Sequence, residues 1–158
     1  MILLEDTRNK VGSHENVKRY CESHDISIVR TKLDVGDYML PDGKITVDTK
    51  QDLLELSRNL MNRADSSRFW REIRRSHEQG IKLVVLIESG RTAKTINDVA
   101  HWKSKFSGVR GRDLVDEMIR LEFSYGVRWA FCDKRSTGRK IIEILTGEEA
   151  EKALSTVK

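Results

Sequence analysis

The sequence predicts a three-layer α-β-α fold around a central mixed sheet, and three observations carry this. Short runs that read as strands take turns with segments of helical periodicity along most of the chain. One run, Ile81–Ile87 (IKLVVLI), is apolar almost without interruption, the pattern of a strand covered on both faces. A Pro41-Asp42-Gly43-Lys44 turn sets two further strands into a hairpin.

In chain order, Ile2-Leu3-Leu4 reads as a short buried strand that ends at Glu5-Asp6-Thr7-Arg8. His14–Ser23 follows with Val17, Tyr20 and Cys21 at helical spacing, and Ser13 is placed to cap it. Ile26–Leu33 alternates as a strand does. Tyr38-Met39-Leu40 and Ile45–Val47 flank the turn, which sets Asp37 against Asp48. Gln51–Leu60 is a helix with Leu53, Leu54, Leu56 and Leu60 apolar. Ser66–Gln79 is a second helix, with Phe69, Trp70 and Ile73 on one side and Arg68, Arg71, Arg74 and Arg75 on the other, and Gly80 stops it. Residues 91–111 are the least regular part, with Trp102 and Phe106 among His101, Lys103, Lys105, Arg110 and Arg112. Arg112–Tyr125 is an amphipathic helix whose Leu114–Leu121 segment packs in the core or forms a dimer face. Val127–Phe131 is a strand, and Ser136 or Thr137 caps a last helix containing Ile141, Ile142, Ile144 and Leu145. Residues 1–146 form one domain in this reading, and 147–158 a tail or short helix.

A chain of 158 residues is long enough to bury a core. Its net charge of +4 fits an anionic partner. Cys21 and Cys132 have no metal-ligand spacing and read as reduced core thiols of a cytoplasmic protein. No apolar run approaches the length of a membrane span and no signal peptide opens the chain, so no membrane association is expected.

The chemistry concentrates at Gly36-Asp37 and Asp48-Thr49-Lys50. On a strand, residues two apart share a face, so Asp48 and Lys50 point the same way and Asp37 joins them from the neighbouring strand. Two carboxylates are hard oxygen ligands for Mg²⁺ or Mn²⁺. A lysine beside them orients or deprotonates water and stabilises charge growing on a phosphate. By spacing alone, a polar hairpin with solvated charges is the other reading. The arginines Arg58, Arg63, Arg68, Arg71, Arg74 and Arg75 read either as a solvated helix face or as contacts to a phosphate backbone.

Ile2–Arg8 (ILLEDTR), Leu33–Leu40 (LDVGDYML), Val47–Leu53 (VDTKQDL), Ser67–Phe69 and Leu83–Ser89 (LVVLIES) occur in the order of the XPF-type nuclease domain, also named from excision-repair cross-complementing group 4. The chain resembles this branch of the PD-(D/E)xK superfamily from Ile2 to Leu145. The resemblance implies the restriction-endonuclease-like fold and a Mg²⁺- or Mn²⁺-dependent endonuclease acting on branched or flap DNA. Asp37 and Asp48 are then metal ligands and Lys50 the catalytic lysine. Asp6 is either a further acid near the metal or a strand-end acid paired with Arg8. Arg68 matches the family's arginine on the helix after the motif, with Glu72 one turn further along. Arg71, Arg74 and Arg75, with Lys103, Lys105, Arg110 and Arg112 in the 101–112 loop, are the expected DNA grips, and Trp102 and Phe106 either touch DNA or anchor that loop.

The family usually has Glu-Arg-Lys where this chain has Asp48-Thr49-Lys50, so a phosphate contact or ion pair is expected to be missing at Thr49. Asp52 stands two residues after the lysine rather than four, and either belongs to the site or begins the next helix. The chain lacks the tandem helix-hairpin-helix domain and helicase of many relatives, so a stand-alone, phage-like nuclease is expected, as a homodimer and with a helicase or DNA-targeting partner in trans. Two other readings stay open: a catalytically silent DNA-binding subunit on the same fold, and a nuclease acting on RNA.

Overall fold

The computed structural model describes residues 1–106 and 108–147, with backbone alone for 63–67. The side chain of Arg63 and the tail expected beyond Gly147 therefore lie outside the described residues. The elements run β1 (Ile2–Asp6), α1 (Glu15–Ser23), β2 (Ser27–Thr31), β3 (Tyr38–Met39), β4 (Ile45–Lys50), α2 (Leu53–Met61), α3 (Arg63–Glu78), β5 (Lys82–Ile87), α4 (Ile96–Val99), α5 (Gly111–Tyr125), β6 (Arg128–Phe131) and α6 (Thr137–Thr146), with a 3-10 turn at Lys134–Ser136 before α6.

The six strands form one sheet in the order β2-β1-β3-β4-β5-β6. Only β3 is antiparallel to its neighbours; the β1–β2, β4–β5 and β5–β6 pairs are parallel. The parallel strands all end at one edge, and the short β3 begins there. The sheet is buried on both faces, as the Ile81–Ile87 run predicts. Leu83, Val85 and Ile87 point into a core with α2, α3 and α5, and Val84 and Leu86 point into one with α1 and α6. Burial of these side chains is the main stabilising term, each contributing roughly 1.5–3 kcal/mol.

Three local expectations change. Ser13 does not cap α1: its hydroxyl donates to the Lys10 carbonyl, and the helix starts at Glu15 without a side-chain cap. The irregular stretch contains α4, a single turn closed by a capping box between Thr95 and Asp98. Neither Ser136 nor Thr137 caps α6, because the 3-10 turn leads straight into it, and the Thr137 hydroxyl donates to Glu88 instead. The two cysteines are free thiols, and burial pushes both up to about 11. No helix among the described residues is long and apolar enough to cross a membrane.

Candidate active site

Asp37 owes its position to Gly36. That residue has φ +79°, and a Cβ there would overlap the Thr46 side chain. Thr46 is held in place by its hydroxyl, which donates to the Val35 carbonyl (2.7 Å). The Gly36 N–H donates to Glu72 Oε1 on α3 (2.6 Å). The chain then enters β3 between its neighbours, with Asp6 N–H donating to the Asp37 carbonyl and Asp37 N–H to the Val47 carbonyl, each at 2.8 Å. The acids thereby gather at the carboxyl edge of the parallel strands, where α/β sheets place their ligands.

Asp48 and Lys50 sit on β4, both buried. Their register partners on β5 are Val85 and Ile87, so they face the α2–α3 layer. Lys50 Nζ lies 3.0 Å from Asp48 Oδ2, donates to Asn59 Oδ1 on α2 (2.7 Å), and stands 4.4 Å from the Phe69 ring centroid on α3. Asp37 Oδ2 accepts from the Thr49 N–H (2.8 Å) and hydroxyl (2.9 Å). Thr49 thus fixes the carboxylate of Asp37, a role that the family pattern at this position does not suggest.

The acids of the site repel one another. Burial, then the neighbouring Asp48, pushes the Asp37 carboxyl up to about 8 against the pull of the Thr49 bonds. Burial and Asp48 also raise Glu72. For Lys50 burial works against the charged form, but Asp48, Glu55 and Asp37 outweigh it and hold the amine above its ordinary value. Asp48 Oδ2 is buried, with the Lys50 ammonium 3.0 Å away as its partner. A buried carboxylate beside a second, proton-seeking carboxyl is a pair of hard oxygen donors, so these residues fit Mg²⁺ or Mn²⁺. Among the described residues no three His, Cys, Asp or Glu side chains form a complete metal cage. Asp37 and Asp48 make a two-acid start to one.

Asp6 lines the same groove, but both its oxygens have donors: Oδ2 pairs with Arg8 Nε, and Oδ1 accepts from Leu33 N–H (3.0 Å). Its neighbour Glu5 turns away to Tyr38 and Arg30. Asp52 is the cap of α2, accepting from Glu55 N–H (2.8 Å). Glu72 is the member whose role needed the fold, since only tertiary packing brings α3 over Gly36.

The groove above the acids has a volume of about 1020 Å³. Arg68, Arg71 and Arg75 line it from α3, whereas Arg74 does not. Lys103, Lys105, Arg110 and Arg112 also lie outside its lining. Lys103 and Arg110 bridge one another across their loop, and Arg110 is paired with Asp113 (3.0 Å). Trp102 is half-buried against the core as a loop anchor, while Phe106 is exposed.

A mixed sheet between two helical layers, with acids and a lysine at its carboxyl edge, is the architecture of a restriction-endonuclease-like domain. Solved structures match it over nearly the whole chain. XPF from Aeropyrum pernix superposes with a TM-score of 0.68 at 21% identity, over 99% of this chain and 68% of that one. XPF from Aeropyrum pernix in complex with DNA gives 0.68 at 19% identity, over 95% of this chain and 66% of that one. The protein therefore has the fold of XPF from Aeropyrum pernix and spans about two thirds of those chains' length. No protein-family profile matches the sequence, and no curated protein matches it.

Proposed function

We propose that this protein is a metal-dependent DNA endonuclease that hydrolyses phosphodiester bonds in branched or flap DNA. The observation that carries the proposal is the buried Asp48–Lys50 pair, 3.0 Å apart, set beside Asp37 in an arginine-lined groove. The likeness to XPF, one structure of which is a complex with DNA, supports DNA as the substrate. Asp37 and Asp48 would hold Mg²⁺ or Mn²⁺, and such an ion polarises a phosphate and acidifies water. Thr49 keeps the Asp37 carboxylate aimed, and Glu72 keeps the backbone before it in place. Lys50 carries its proton at neutral pH, so its part is to stabilise the charge that develops on the phosphate and to orient water. Asn59 and Phe69 hold its amine for that task.

A second reading on the same fold is a silent DNA-binding subunit. Cleavage of labelled duplex, single-strand, 3′-flap, splayed-arm, fork and four-way-junction DNA, with matched RNA, in EDTA, Mg²⁺ and Mn²⁺ separates the two. Metal-dependent cutting with preference for a branched DNA is expected. Salt-dependent binding to every DNA with no turnover in either metal would favour the silent subunit.

A further inference from the structure

We propose that the wall of the groove opposite α3 is a second phosphate-binding rim, with Arg19 and Lys134 as its contacts, so that nucleic-acid backbone is held on both sides of the acid cluster. This deepens the nuclease reading and rests on it. α1 follows β1 and the 3-10 turn follows β6, so both start at the carboxyl edge that carries Asp48, yet they belong to the helical layer across the sheet from α3. Arg19 and Lys134 line the same groove as Asp37 and Asp48. Both are exposed, and neither takes part in an ion pair among the described residues.

The rim is built rather than incidental. Asn16 Nδ2 donates to the Lys134 carbonyl (3.1 Å), and Arg19 Nη2 donates to Asn16 Oδ1 (2.8 Å), so one side chain ties together two cation-bearing segments far apart in sequence. Below them α1 and α6 touch closely: a Cβ on Gly138 would lie 2.6 Å from Tyr20 Cβ. The Thr137 hydroxyl donates to Glu88 at the end of β5, which anchors the turn to the sheet. Two unpaired cations on a rigid scaffold, facing three arginines across a cleft, match a phosphodiester backbone on both walls. They supply positioning without reading bases.

The test is fluorescence-anisotropy binding of the full chain to a labelled 3′-flap DNA in EDTA across a salt series. The variants are Arg19→Ala/Lys134→Ala and, as a control at the opposite edge of the sheet, Lys44→Ala/Lys82→Ala. Each lost phosphate contact should weaken binding about tenfold at 0.1 M salt and lower the slope of log K against log[salt] by ~0.9. The expected result is a slope lower by ~1.8 in the rim variant, an unchanged slope in the control, and unchanged circular dichroism in both. Wild-type affinity and slope in the rim variant would overturn the rim, while metal-dependent cutting by the wild type would leave the nuclease reading standing. A rim effect on binding with no cutting by the wild type in any metal would uphold the rim and sink the nuclease reading. Absence of DNA binding by the wild type would sink both.

Discussion

Gly36 and Thr49 hold the Asp37 carboxylate in place. Removing the Thr49 hydroxyl in Thr49→Val keeps the backbone bond to Asp37 but deletes one of two donors. Metal affinity, read by titration calorimetry, should fall roughly ten- to hundredfold without loss of fold. The Asp37 carboxyl sits at about 8, well above its ordinary 3.8. A carboxyl raised on folding binds its proton more tightly in the native state, so stability is greatest at acid pH and falls as pH rises through the 4–8 window. Asp48 and Glu72 face it and Glu72 is raised as well, while Lys50 keeps its charge throughout this window. The metal-free protein should therefore lose on the order of a few kcal/mol between pH 5 and 8. Thermal unfolding in EDTA checks this, and Asp37→Asn should flatten the dependence. That Asp48 and Lys50 share a face of β4 was legible in the sequence from a strand's two-residue period, and the hairpin turn was the signal that set Asp37 beside them. The roles of Thr49 and Glu72 were not legible, since one depends on a hydrogen bond between strands and the other on how α3 packs over a glycine turn.

At the scale of elements, legibility followed length and burial. β5 and α5 announced themselves by long, consistent apolar patterns. α4 is a single turn, too short for periodicity, and the start of α1 depends on a loop hydrogen bond that no side-chain pattern encodes. β3 has only two residues, so its place between β1 and β4 rests on Gly36 and the hairpin turn rather than on strand propensity. Two substitutions test this scale. Leu86→Ala, on β5 and fully buried, should cost about 2–5 kcal/mol, as other large core truncations do. Gly138→Ala should cost ~1–3 kcal/mol, because the methyl would force α1 and α6 apart. Urea unfolding of both proteins measures these values.

At the scale of the molecule, the sheet edge decides where function sits. The parallel strands end together, and α3 and the α1 and 3-10 segments rise from opposite layers to wall a groove over the acids. The sequence announced the α3 wall through its arginine run, but it drew attention to the 101–112 loop rather than to Arg19 and Lys134. Those two cations lie far apart along the chain and only the fold makes them neighbours. Because cation binding would relieve the repulsion between Asp37 and Asp48, Mg²⁺ at a hundredfold excess over its Kd should stabilise the fold by about 2.7 kcal/mol at neutral pH, and Asp48→Ala should abolish that gain. Asp48, Asp37 and Lys50 are proposed to form a metal-dependent phosphodiester-cleaving centre. It is tested most directly by single-turnover cleavage of the best-cut DNA, comparing wild type and Asp48→Ala in Mg²⁺, Mn²⁺ and EDTA. Cutting should need metal and fall roughly a hundredfold or more in the variant. Wild-type cleavage by Asp48→Ala, or undiminished cleavage in EDTA, would contradict it.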